Sequence, residues 1–474
     1  MTQALRFSTD GLNGSSSPVL APEQLTTVAH DVLGMTKSDV ATVTLDHLAT
    51  GTIRVAQNQV RLVNNGDTLE LRLQMQFGSR PSVDMTLNQL DADTLRRAVR
   101  YLERIAHEQP GDPAPTPRSL PVPPRSYLPN TTWHAATAAA LDADAQPVLE
   151  RLMQPLIDAK LHGAAFVGIS AHARLHANTQ GFLAVGRSTD AELTASGWAG
   201  PGSSGALGWA GQASRDWETL DPSAVANKAV HIARLAGNPV ALEPGRRIAI
   251  LGRPAMAQII RAIGGNYDYT TTMMGYTPLS GHSLHDKIMD ERINLRSDPN
   301  DPDGGYLPFD DVGYPRIPMS WLERGRFMNL AYSPFGAARM GVTPGNMWSE
   351  SLRLDAVPGT SLLTIDDMIA NCKEGIYINR VADIKIVRAK SALMTGVTRG
   401  GCFLIRNGRA DKAVKDFRFL DSPYFFMNKL LAIGQAARAP FGYAPWHGEW
   451  PIAPTIVPPV MVNDFNCVAL ADAI

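Results

Sequence analysis

Two stretches of this 474-residue chain combine residue types and spacings that can do chemistry. One is Gly281-His282-Ser283-Leu284-His285-Asp286. On a helix, His282 and His285 would share a face, and Asp286 or Glu291 could complete a metal-ligand set. In a polar loop the same side chains would simply be solvated or hydrogen-bonded. The other stretch runs from Tyr443 to Pro451 and carries Trp446, His447 and Trp450. These three join aromatic area to a titratable group inside a proline-constrained loop. Loops of that composition either line ligand pockets or cap a core. Trp446, His447 and Trp450 are the candidate substrate-binding residues.

Other signals are weaker. His172 and His176 stand four apart, but in a segment that reads as strand, so the spacing has no helical meaning. No His-Glu-x-x-His and no Gly-x-Ser-x-Gly occurs. Cys402 enters an apolar strand, where a small buried hydrophobe is the plain reading; a nucleophilic role would need a neighbouring base. The glycines of Gly197–Gly211 lack the Lys-Ser/Thr of a phosphate loop and read as a mobile surface loop.

The elements that must hold these groups follow from periodicity. A helix is expected over Ala21–Gly34, then strands over Asp39–Leu48, Thr52–Val63 and Thr68–Phe77. Asn64-Asn65-Gly66-Asp67 carries a hairpin-turn signal. A helix follows over Asp91–His107. Residues 109–130 hold a dense run of prolines, including Pro110, Pro113, Pro115 and Pro117, which favours an extended linker. Beyond it come a helix over Ala145–Lys160, strands over Ala164–Leu175 and Gly181–Ser188, and a helix over Pro222–Ala236. Strand Arg247–Leu251 opens a turn-rich, β-leaning region. The expectation is an α+β protein: N-terminal helix-on-antiparallel-sheet segments over 1–108 and 131–240, a linker over 109–130, and a β-rich C-terminal domain over 241–474.

Composition narrows the partners. Forty-four basic residues meet 45 acidic ones, a net charge of −1. A duplex-binding domain is usually strongly basic, so nucleic acid is not expected. No apolar run approaches the ~18 residues that span a bilayer. Three cysteines rule out a disulfide scaffold. The opening residues lack a basic-then-apolar leader, so a cytoplasmic location is expected.

Several stretches taken in order resemble the TldD/PmbA family, also called modulator of DNA gyrase. Arg54-Val-Ala-Gln-Asn-Gln-Val60 is similar to its R-x-A-x-N-x-[IV] pattern, and Arg187-Ser-Thr-Asp190 sits where the family has a turn between strands. Asp310–Pro315 with Leu322–Phe327, Asn346 through Pro358-Gly359, the following helix over Thr364–Cys372, Gly375–Ile378 and Thr398–Gly408 resemble its C-terminal motifs. The resemblance implies a β-rich TldD/PmbA-type C-terminal domain. In TldD-type members, a helix after the strand opening that domain carries His-Glu-x-x-x-His, and a C-terminal cysteine completes a zinc site. Here the equivalent positions fall around Arg261, Ala262 and Asn266, and Cys467 lies too far along to substitute. The resemblance is therefore closest in type to the zinc-free TldE/PmbA subunit. It implies no catalytic residue and no metal in this chain, zinc in a TldD-like partner of a heterodimer, and an extended peptide as substrate. Two alternatives stand beside it: an active peptidase with a rebuilt site around His282, His285, His447 or Cys402, and a homodimeric, non-catalytic peptide-binding protein.

Overall fold

The computed structural model describes residues 18–78, 80–111, 132–142, 145–199, 207–305, 307–310, 313–333, 336–337, 340–342, 351–442 and 453–470. The first half is built on one antiparallel sheet. Its strands are β1 (Val40–Ala56), β2 (Gln59–Gln76), β3 (Val83–Leu87), β4 (His162–Asn178), β5 (Leu183–Trp198) and β6 (Leu207–Ser214), in spatial order β3-β2-β1-β4-β5-β6. Strands from both sides of the proline-rich 109–130 stretch are thus neighbours: β1 pairs with β4 from Thr42↔Asn178 to Ala56↔Ala164.

Alternation decides the two faces of this sheet. Val43, Leu45, Ile53, Ile169, Leu175 and Leu193 are fully buried on one face. Helices α1 (Pro22–Met35), α2 (Ala92–Glu108), α4 (Gln146–Asp158) and α5 (Pro222–Leu235) contribute the other side of that core; a short helix, α3, covers Ala135–Ala139. Helix α2 shows why the helices settle there: Leu95, Val99, Leu102 and Ala106 recur at helical spacing and are buried, while the Asp91 carboxylate caps the start by accepting the Thr94 amide at 2.9 Å. Gly208 lets α5 lie directly on β6, since a Cβ there would stand 2.2 Å from the Ala229 carbonyl oxygen.

Three expectations are corrected here. The hairpin does not turn at Asn64–Asp67, which pair with Ala49–Thr52 inside the ladder. It turns at Gln57-Asn58, whose φ values of 53° and 60° suit a type I′ turn. Asn58 also locks the turn to the next strand, accepting the Gly163 amide at 2.6 Å and donating to the Leu161 carbonyl at 3.1 Å. Asn58→Ala is expected to cost about 1–2 kcal/mol, from two lost hydrogen bonds and a residue less tolerant of positive φ. A lower denaturation midpoint at unchanged slope would report it. Second, Gly197, Gly208 and Gly211 belong to strands β5 and β6, because they pair along the ladder. Third, Arg187–Asp190 is interior to β5 and makes no turn.

The second half begins with β7 (Gly245–Leu251) and α6 (Arg253–Ala262) and continues through a short helix α7 (Tyr269–Met273). One sheet runs β10-β9-β8-β11-β18-β17, from β8 (Ile293–Ser297), β9 (Met319–Glu323), β10 (Arg326–Phe327), β11 (Leu352–Ala356), β17 (Ala437–Arg438) and β18 (Ile456–Val457). The other runs β12-β7-β19-β15-β13-β14, from β12 (Glu374–Arg388), β13 (Leu393–Arg406), β14 (Arg409–Ala413), β15 (Phe417–Asp421) and β19 (Val460–Leu470), with β16 (Leu430–Ile433) on β19. β12 also pairs with β13, so this sheet closes on itself. Its interior holds Phe419, Phe426 and Phe465, all fully buried. The α+β class and the β-rich C-terminal domain are as expected.

Candidate functional site

The face of the first sheet opposite its helices is polar. Thr44, His172, His176, Ser170, Ser188, Asp190 and Glu192 are buried on it. A polar sheet face under protein must satisfy every group it covers, and it does so locally. The Asp46 carboxylate takes His172 Nε2 at 2.8 Å and Arg174 Nε at 2.6 Å. Burial works against that charge, yet His172 and Arg174 hold the carboxyl below its usual range. His176 Nδ1 meets Thr44 Oγ1 at 2.9 Å. His172 and His176 thus project from one strand face, each to its own partner.

Farther along β5, the same face meets the C-terminal half. Asp190 is bonded to Arg438 of β17 and lies 3.3 Å from Arg215 Nη1. All three side chains are nearly inaccessible, at 4 %, 7 % and 3 % exposure respectively. Two residues on, Glu192 accepts the Phe441 amide at 3.1 Å and the Gly442 amide. Burial pushes the Glu192 carboxyl up to about 7; Asp190 adds to the rise, while the two amides and Arg438 oppose it. Arg380 of β12 donates to the Phe441 carbonyl at 3.1 Å and stacks 4.8 Å from the Trp209 ring centre. Asn379 ties the same strands together, donating to the Trp209 and Gly400 carbonyls at 2.9 and 2.7 Å.

Helix α6 ends at this junction. Its start is fixed by the Gly252 amide, which donates to the Ile378 carbonyl at 2.8 Å. Ala255, Met256, Ala257, Ile259 and Ile260 bury one side. Arg261, in the last turn, lies 5.5 Å from the Phe441 ring centre. Asn266 follows the helix and donates to the Tyr424 hydroxyl at 3.3 Å. A guanidinium cannot ligate a metal, and neither Ala262 nor this committed amide supplies a zinc donor set. Among the described residues, no group of three or more His, Cys, Asp or Glu side chains has a metal-binding arrangement. The residues of this helix therefore do not fit zinc.

The remaining candidates resolve as follows. The His282–Asp286 stretch is a turn, with His285 at φ 73°, so the two histidines do not form a helical pair. His282 instead faces Asp286 at 3.2 Å on the surface. Cys402 is buried in β13 and burial pushes its thiol up, away from nucleophilic character. Cys467 is buried in β19, where burial pushes its thiol up to about 12. Trp446, His447 and Trp450 lie outside the described residues; the chain leads towards them from Gly442, at φ 74°. Sequence reasoning missed Asp190, Glu192 and Arg380 as a group. A usable signal existed: Ser188, Asp190, Glu192 and Thr194 alternate with Ala191, Leu193 and Ala195, the mark of a strand with one polar face under cover.

Fold and site together define an α+β protein with a β-rich C-terminal half. Residues 244–469 match the PmbA/TldA metallopeptidase C-terminal domain. A protein described as a metalloprotease from Archaeoglobus fulgidus is 26% identical over 161 residues, which span 33% of this chain and 37% of that protein. Solved structures share the whole fold. A candidate modulator of a DNA gyrase from Thermotoga maritima MSB8 matches at a TM-score of 0.78 and 13% identity, covering 94% of this chain and all of that one. One from Bacteroides thetaiotaomicron VPI-5482 matches at 0.76 and 16% identity, over 95% of this chain and all of that one. TldE from Thermococcus kodakarensis matches at 0.77 and 15% identity, over 94% and all of the respective chains. No helix among the described residues is long and apolar enough to cross a membrane.

Proposed function

We propose that this chain is the TldE-like, zinc-free subunit of a TldD/TldE-type heterodimeric metalloprotease that processes extended peptides in the cytoplasm. One observation carries the reading. The helix that would bear zinc ligands in a TldD-type chain presents Arg261 to Phe441, a contact without metal-binding capacity. In this role the chain encloses the substrate and its TldD-like partner supplies zinc and the chemistry; modified peptide natural-product precursors are one such substrate class.

The test is metal analysis of the purified chain, with capture of a TldD-like chain carrying His-Glu-x-x-x-His. The expected outcome is less than about 0.1 zinc per chain alone, and peptide cleavage only in the reconstituted pair. Stoichiometric zinc in the isolated chain, or cleavage without a partner, would overturn the reading.

A further inference from the structure

The turn between β9 and β10 and the segment after β11 wall a cavity of about 480 Å³ against β16. That volume falls within the range of about 300–1,000 Å³ usual for ligand sites. None of the residues at the Arg261–Phe441 junction lines it.

Local structure fixes its walls. In Val357-Pro358-Gly359-Thr360 the Thr360 amide donates to the Val357 carbonyl at 3.1 Å, and Gly359, at φ 89°, supplies the positive φ a type II turn needs after proline. Arg324 and Gly325 turn the β9–β10 hairpin at φ 49° and 68°, and the Arg324 amide donates to Asn294 Oδ1 at 2.8 Å. The Arg324 side chain is exposed on the cavity wall and makes no ion pair among the described residues. Arg292 differs. Its guanidinium meets both Asp290 oxygens, at 2.8 and 2.9 Å, and the Leu430 carbonyl at 2.6 Å. Only Nη1 is loosely held, 3.5 Å from the Leu431 carbonyl.

The edge of β16 is partly used. β19 pairs with one side of it. On the other, the Leu363 amide donates to the Ile433 carbonyl at 3.0 Å, within a parallel bridge of Leu362 to Ile433. Leu431 is a bulged residue: Leu430 and Ala432 face Val462 and Met461 of β19, and Leu431 faces none. It is 44% exposed, and it lines the cavity with its carbonyl towards Arg292. An edge that begins to pair and then stops is a template for an added strand.

We propose that this cavity is a docking site for a free peptide C-terminus: the last residues add to β16 beside Leu431, and Arg324 with Arg292 Nη1 takes the terminal carboxylate. Charge selects the ligand. Asp290 neutralises Arg292, and Glu291 also lines the cavity, so the site offers one unpaired guanidinium and no strongly positive field. That suits a carboxylate, with its single charge, over a phosphate group with about two. The open edge beside it suits a peptide over a lone acid. The site belongs to this chain alone and does not depend on the functional reading above.

The test titrates three kinds of probe onto the full chain by fluorescence anisotropy: an N-terminally labelled apolar tripeptide with a free carboxylate, its C-terminal amide, and the acid N-methylated at each of its two peptide nitrogens in turn. The amide is expected to bind about tenfold more weakly than the acid, for want of a charge-assisted hydrogen bond. At least one N-methylated form should lose about fivefold, the equivalent of one main-chain hydrogen bond. Arg324→Gln should weaken the acid about tenfold and leave the amide unchanged. Arg324 is exposed, so its replacement leaves the core intact. No binding of the acid at millimolar concentration overturns the proposal, as does equal binding of acid and amide. Unchanged affinity in Arg324→Gln, or in both N-methylated forms, overturns it too. So does displacement of the probe by inorganic phosphate as readily as by unlabelled peptide, which would mark a general anion site.

Discussion

Asp190→Ala is expected to destabilise the protein by about 3–5 kcal/mol, the usual cost of removing one partner from a buried ion pair. The reason is geometric. Asp190 serves two guanidiniums at once, Arg215 at 3.3 Å and Arg438 in closer contact, and water reaches none of the three side chains appreciably. The variant keeps both cations in a dry interface and takes away the carboxylate they share. Arg215 additionally donates to the Thr189 carbonyl at 3.0 Å, so it cannot swing out without breaking backbone contacts. Chemical denaturation measures the loss. The difference should persist in high salt, because counterions screen exposed pairs and barely touch buried ones. Asp190→Asn should cost less, since its amide oxygen still accepts. Removing the Asp190 charge also removes one cause of the raised Glu192 carboxyl. A loss under about 1 kcal/mol in Asp190→Ala would mean that solvent relaxes into the junction.

Phe465→Ala should weaken the C-terminal domain by a comparable amount, about 3–5 kcal/mol. Phe465 is fully buried in β19 and touches two other aromatic rings, Phe419 at 5.4 Å and Phe426 at 5.6 Å between centres. Phe419 comes from β15 and Phe426 from the short helix Pro423–Phe426, so the three rings pin two strands of the closed sheet and the helix packed on them. Truncation leaves a cavity that these elements cannot fill while their ladders stay intact. Phe465→Leu should recover most of the loss, because it restores volume. Equal denaturation midpoints for alanine and leucine variants would show that the aromatic contacts, and not the filled space, carry the effect.

Much of the fold is legible in the chain itself. The helix expected at Asp91–His107 rests on its apolar stripe, and α2 occupies Ala92–Glu108, where the structure adds Asp91 as its cap. Strand Arg247–Leu251 reads equally clearly, because it is a short-range apolar pattern. The hairpin shows where such reading fails. Asn64–Asp67 has turn composition, yet Gln57-Asn58 makes the turn. A turn signal states which residues tolerate positive φ, while the register with β4 decides where the chain actually reverses. The glycines at 197, 208 and 211 misled in the same way. Gly208 is small because a helix backbone lies against it, a fact of packing and not of loop freedom.

The sequence by itself determined the α+β class, the order of the four main helices in the first 240 residues, and the lack of zinc-donor residue types in the segment after β7. Each of these depends on residue type or local period alone. Only the tertiary structure decided that segments on both sides of the 109–130 stretch share one sheet. It alone decided that His282 and His285 are not a helical pair, and that Asp190, Glu192, Arg380 and Arg438 meet at one junction. The last of these brings together residues separated by up to 248 positions. No local pattern encodes such a meeting. It arises because buried carboxylates and guanidiniums must find partners once the sheet face is covered, and the strands that cover it set which partners are within reach.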